Sequence, residues 1–158
     1  MPARRPGRQA GHRARDGARA EAVMARAPDG MTFLSADLSR LDEQKRIISE
    51  VTDRWPDLSI LVNNAGVQID MPATGIGDHG RMAFRSEIAA NLTAPVALCF
   101  GLTPVLARQR EAAIVNISLG LAIAPKRTAP VYCATKAGLC TFSRALRYRC
   151  EDARRRSG

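Results

Sequence analysis

Aromatic residues are scarce in this sequence: four Phe, two Tyr and one Trp amount to 4% of it. Without interleaved aromatics there is no row of flat side chains on which single-stranded bases could stack. Histidine is scarcer still, and His12 and His79 stand alone, so neither is assigned chemistry. The four cysteines, Cys99, Cys133, Cys140 and Cys150, lack paired metal-ligand spacing. They read as reduced, packed thiols, no metal is expected, and the chain is expected to be cytoplasmic. No apolar run approaches the ~18 residues of a membrane span, because Asn, Arg or Pro interrupts each candidate. The first residues are Arg-rich but carry no apolar stretch of the kind a secretory leader needs. What is left is one domain's worth of chain, 158 residues, able to bury a real core.

The formal net charge of +9 suggests a nucleic-acid partner until it is located. Residues 1–19 hold six Arg against Asp16, and residues 152–158 hold Arg154, Arg155 and Arg156 against Asp152. Residues 20–151 carry 15 basic and 13 acidic side chains and are nearly balanced. The excess therefore sits at the two ends, which read as solvated, disordered tails over residues 1–13 and 153–158. Basic ends bind polyanions non-specifically, but no zinc-finger spacing or helix-turn-helix pattern accompanies them. A specific nucleic-acid function is not expected.

Between the tails, strand and helix signals alternate, which predicts a doubly wound parallel sheet. Short apolar runs at 31–36, 59–62 and 112–118 predict buried strands. After the first, Ser39 is the expected cap of a helix with Asp42 and Glu43 in its first turn. Its predicted buried face is Leu41, Ile47, Ile48, Val51 and Trp55, and Pro56 stops it. A Pro/Gly-rich loop over 71–80 precedes a long helix at about 81–108, with breaks near Pro95 and Pro104. A last helix is predicted from about Pro130 to Asp152. Gly75-Ile-Gly-Asp-His-Gly80 matches G-x-G-x-x-G, yet eight residues separate it from Gly66, where the preceding strand segment ends. A phosphate cradle must follow its strand directly, so this stretch reads as an ordinary loop.

Tyr132-Cys-Ala-Thr-Lys136 carries the chemistry. Four residues apart on a helix, a phenol and an ammonium share one face. A free tyrosine titrates near ~10, and a nearby positive charge favours the phenolate. Alone, the pair reads as a solvated helix pair. Its company makes it specific: Leu61-Val-Asn-Asn-Ala-Gly66, Asn91 in a helical pattern and Ala112-Ala-Ile-Val-Asn-Ile-Ser118 precede it in order.

With these motifs in register, residues 14–152 resemble the short-chain dehydrogenase/reductase family. The similarity is greatest to bacterial oxidoreductases named after the D-alanine transfer operon. The resemblance implies an NAD(P)-binding Rossmann fold and hydride transfer between a nicotinamide and a small carbonyl or alcohol substrate. Tyr132 would exchange the oxygen-bound proton, while Lys136 would favour the phenolate and hold the nicotinamide ribose. Asn91 would anchor a water in the proton relay. Asp37 and Leu38 would frame the adenine, with Asn64, Ala65 and Gly66 along the adenosine side. Arg15 matches a basic residue that meets the 2′-phosphate, favouring NADP over NAD. Each position also has a plainer reading: Asp37 and Asn64 as caps of strand ends, Asn91 as the partner of a helix kink.

The chain departs from the family pattern in three places. The glycine loop at the end of the first strand has no counterpart in residues 1–12, and the family's segments beyond Asp152 have none either. The Rossmann sheet is therefore expected to be incomplete, lacking the first two strands and the last, and truncated at both ends. In a sheet ordered 3-2-1-4-5-6-7, that leaves the 31–36 strand without a neighbour and the 59–62 strand with a raw edge. The third departure is catalytic. The family's serine lies three residues after the Asn of its strand, which falls on Leu119; Ser118 is the neighbouring position and would face away unless the strand end bends. Ser118 is thus read as structural or as a substitute donor. The expected function is an NAD(P)-dependent oxidoreductase impaired in this chain. The alternatives are a non-catalytic relative that associates with itself or with a complete paralogue, and, remotely, a polyanion binder.

Overall fold

The computed structural model describes residues 25–26, 32–71, 77–118, 120 and 123–157. Two compact units are present, Met1–Ala36 and Asp37–Gly158. In the first, residues 32–36 form neither helix nor ladder, which corrects the strand predicted at 31–36. A strand needs a neighbouring ladder, and none involves these residues among those described.

The second unit holds every regular element described: α1 (Leu41–Arg54), β1 (Ile60–Asn63), α2 (Gly77–Ile88), a π-helical turn (Ala89–Thr93), α3 (Ala94–Leu106), β2 (Ala113–Asn116) and α4 (Pro130–Ser157). Arg40, not Ser39, occupies the cap of α1. Ser39 instead turns its N–H and hydroxyl to Asp37 Oδ1, at 3.0 and 2.7 Å. Asp42 and Glu43 do occupy the first turn, where the helix dipole favours them. Leu41, predicted in the core, is exposed, and Gln44 is buried with its amide donated to Leu38 O at 2.8 Å.

β1 and β2 pair in parallel, Ile60 with Ala113 through Asn63 with Asn116. This is the α/β architecture with a parallel sheet, incomplete because two strands are found among the described residues. Strand alternation turns Leu61 and Asn63 inward and leaves Ile60 and Val62 58% and 54% exposed. Parallel sheets are ordinarily covered on both faces; here Ile60 and Val62 of one face stay exposed.

The run from Gly77 to Leu106 is helical throughout, and it corrects two readings. Gly77 to Gly80 open α2 instead of lying in a loop, while Gly75 and Ile76 fall outside the described residues. The break expected near Pro95 is the π turn just before it, and Pro95 follows as the second residue of α3. Pro104 lies within α3, two residues from its end. The stretch Gly80–Leu106 is also long and apolar enough, by length and composition, to cross a membrane. Its Glu87, Asn91, Leu98 and Leu102 are buried against neighbouring elements, as in a core helix. At the other end α4 continues through Arg154, Arg155 and Arg156 to Ser157, which corrects the disordered tail expected at 153–158.

Candidate active site

The C-terminal ends of the two strands hold the site. β1 ends in Ile-Leu-Val-Asn63 and β2 in Ala-Ile-Val-Asn116, and the two asparagines are register partners. Asn63 Nδ2 donates to Asn116 Oδ1 at 2.8 Å and to Cys99 Sγ on α3 at 3.4 Å. Asn116 Nδ2 donates to Ser143 Oγ at 2.8 Å, and that hydroxyl donates to Leu139 O at 2.7 Å. This polar chain ties both strand ends to α3 and α4, and burial pushes the Cys99 thiol up. It went unassigned in the sequence, although the matched Val-Asn endings of the two apolar runs were a usable signal.

Tyr132 and Lys136 lie one turn apart on α4, with Nζ 5.6 Å from the centre of the phenol ring. Lys136 is 3% exposed, and its ammonium donates to Ile117 O, just beyond β2, at 2.9 Å. No carboxylate pairs with it among the described residues. Burial lowers its pKa from the ordinary lysine value.

Asn91 sits in the π turn, fully buried. Its Oδ1 accepts the Val67 N–H at 2.8 Å, and its Nδ2 donates to Val67 O at 2.7 Å. The same Nδ2 approaches Thr135 Oγ1 on α4 at 3.4 Å. A π turn inserts an extra residue, and such turns recur where a helical side chain must be re-aimed. Gly66 completes the cluster. A Cβ there would lie 3.2 Å from Asn91 Oδ1, a tight contact, and 3.7 Å from Lys136 Nζ, an ordinary one.

Leu38, Asn64 and Ala65 line a second small cleft of about 110 Å³ with Ala90 and Leu98. Asp37 lies beside it in sequence, with Oδ1 engaged by Ser39. Ser118 donates its hydroxyl to Lys136 O at 3.2 Å, turned toward the helix backbone. Arg15 and Leu119 fall outside the described residues. One further group was missed: Glu87, a turn before Asn91, is fully buried and accepts the Ile69 N–H at 3.2 Å. Burial raises its pKa, the Ile69 bond works against that, and Asp70 adds to it.

The family profile of the short chain dehydrogenases matches residues 9–154. The chain belongs to the short-chain dehydrogenase family. It is 36% identical over 137 residues to an uncharacterized oxidoreductase, DltE, of Bacillus subtilis, covering 85% of this chain and 54% of that one. Nodulation protein G of a Rhizobium species is 31% identical over 126 residues, covering 80% and 50%. This short-chain dehydrogenase sequence thus spans about half the length of the curated relatives it matches. Among solved structures, a bulky-bulky ketone specific alcohol dehydrogenase from Comamonas testosteroni superposes with a TM-score of 0.74 at 22% identity, over 87% of this chain and 55% of that one. A metagenomic short-chain oxidoreductase in complex with NADP gives 0.67 at 24% identity, over 84% and 58%. These likenesses show the Rossmann-type fold of the short-chain dehydrogenases.

Proposed function

We propose that this chain carries the proton-transfer half of a nicotinamide-dependent oxidoreductase acting on a small carbonyl or alcohol. The observation that carries it is the buried Lys136 ammonium, held by Ile117 O with Tyr132 on the same helix face. Tyr132 passes a proton to, or takes it from, the substrate oxygen. Lys136 would stabilise the phenolate by its charge and meet the ribose of the cofactor. Asn91 holds Val67, and with it Gly66, beside the amine. The residues fit such a cofactor at this end: Gly66 adds no side chain beside Lys136, and Leu38, Asn64 and Ala65 line a small cleft at the end of β1. The bound nicotinamide would supply the hydride acceptor or donor. NADP is the favoured form, supported by Arg15 and by the NADP complex of one structural relative.

Titration of the full chain with NADPH, followed by fluorescence or calorimetry, tests this reading. The expected affinity is poor, because no glycine loop follows a strand among the described residues. Weak binding that Lys136→Met abolishes supports the assignment; no binding at any concentration overturns it for this chain. A non-catalytic relative acting by association is the second reading. It is favoured by the Ser118 hydroxyl being turned to Lys136 O and by the exposed Ile60 and Val62. Sedimentation analysis showing a dimer, together with no turnover in any variant, would establish it.

A further inference from the structure

Glu87 is the buried acid of α2, and nothing in the proton-transfer scheme uses it. Its Oε1 accepts the Ile69 N–H, whereas its Oε2 is buried with no hydrogen-bond partner among the described residues. No Lys or Arg pairs with it among those residues. Burying a carboxyl with one oxygen idle is costly, and a residue needed only for packing would be apolar. What Glu87 contributes is the bond to Ile69.

That bond has a companion. Four helical residues rise ~6 Å, and two extended residues advance ~6.7 Å. Asn91 and Glu87, four apart, therefore meet an extended chain at alternate residues, Val67 and Ile69. Their side chains take the place of a neighbouring strand. The segment they hold follows Gly66, where an added Cβ would lie 3.7 Å from Lys136 Nζ.

We propose that Glu87 is a positioning residue for the Lys136–Tyr132 pair, forming with Asn91 a two-rung clamp that seats the 66–69 backbone against the lysine amine. Its consequence for catalysis rests on the proposed role of Lys136, but the clamp itself is measured without cofactor or turnover. Amide exchange at Ile69 and acylation of Lys136 by acetic anhydride, scored against exposed Lys45, are read in the full chain. Glu87→Gln keeps an acceptor oxygen and is expected to match the wild type in both. Glu87→Leu and Glu87→Asp, which remove or withdraw it, are expected to speed Ile69 exchange at least ~tenfold and to raise the Lys136-to-Lys45 acylation ratio. Unchanged rates in Leu and Asp, or a Gln variant that behaves like Leu, overturn the clamp. Should Leu and Asp fail to fold, the wild type still decides: an Ile69 amide exchanging as fast as that of Gln68 overturns it, and slower exchange supports it. A chain that ignores NADPH yet protects Ile69 keeps the clamp and loses the catalytic reading.

Discussion

Asn91 and Val67 are paired twice, the amide oxygen of one taking the N–H of the other while the amide nitrogen returns a bond to its carbonyl. A side chain thus reproduces the double bonding of a β ladder, from inside a π turn. Asn91→Leu would leave both Val67 groups without these partners in the protein. The expected cost is about 1–3 kcal/mol, read by urea denaturation, with faster amide exchange at Val67.

Tyr132→Phe removes the transferable proton and keeps the ring over which Lys136 Nζ lies. In a longer chain that supplies a glycine loop, it should abolish turnover and leave the melting temperature unchanged. In the same background Leu119→Ser should raise turnover by ~10²–10³, the usual worth of a donor to a reacting oxygen. Ser118→Ala should be nearly neutral, since that hydroxyl faces Lys136 O. A damaging Ser118→Ala with a silent Leu119→Ser would reverse the assignment.

The pH dependence of stability isolates Glu87. Its folded pKa is raised above the ordinary 4.5 by burial, opposed by the Ile69 bond and assisted by Asp70. An acid with a raised folded pKa contributes stability that is complete below the unfolded value and lost as pH rises through the folded one. Wild type minus Glu87→Gln should therefore fall as pH rises above about 4.5. Denaturation curves from acid to neutral pH check it, and a flat difference would show that Glu87 titrates normally.

Gly101 packs α3 against α1. A Cβ at that position would meet Ile48 Cδ1 at 2.6 Å and Cγ2 at 2.8 Å. The second contact is to an atom fixed near the backbone, so relief requires the helices to separate. Gly101→Ala should destabilise by about 1–3 kcal/mol. Gly101→Ala combined with Ile48→Ala should recover part of that in thermal denaturation.

Amide exchange should divide the chain at the sheet. Ala113 N–H is bonded to Ser59 O and Ile117 N–H to Asn63 O, each at 2.9 Å, and both should be protected. The amides of Thr32, Phe33 and Leu34, outside any ladder among the described residues, should exchange faster. Protection there equal to that of Ala113 would mean a strand neighbour exists.

Local pattern carried the family. The Tyr-Lys spacing and the two apolar runs ending in asparagine depend on near neighbours, and they appear as the α4 pair, β1 and β2. The expectation of an incomplete sheet came from the glycine loop, whose chemistry is legible residue by residue. What depends on distant partners was not legible. Whether 31–36 becomes a strand depends on a neighbour, and its own apolarity cannot supply one. Ser39 has capping chemistry, but Asp37 holds it, and Leu41 has core chemistry, but its side of α1 is uncovered. The burial of Glu87 and the two-sided grip of Asn91 on Val67 arise because a helix and an extended segment lie side by side with matching repeats. That is a relation between residues 18 and 24 positions apart, and tertiary packing alone creates it.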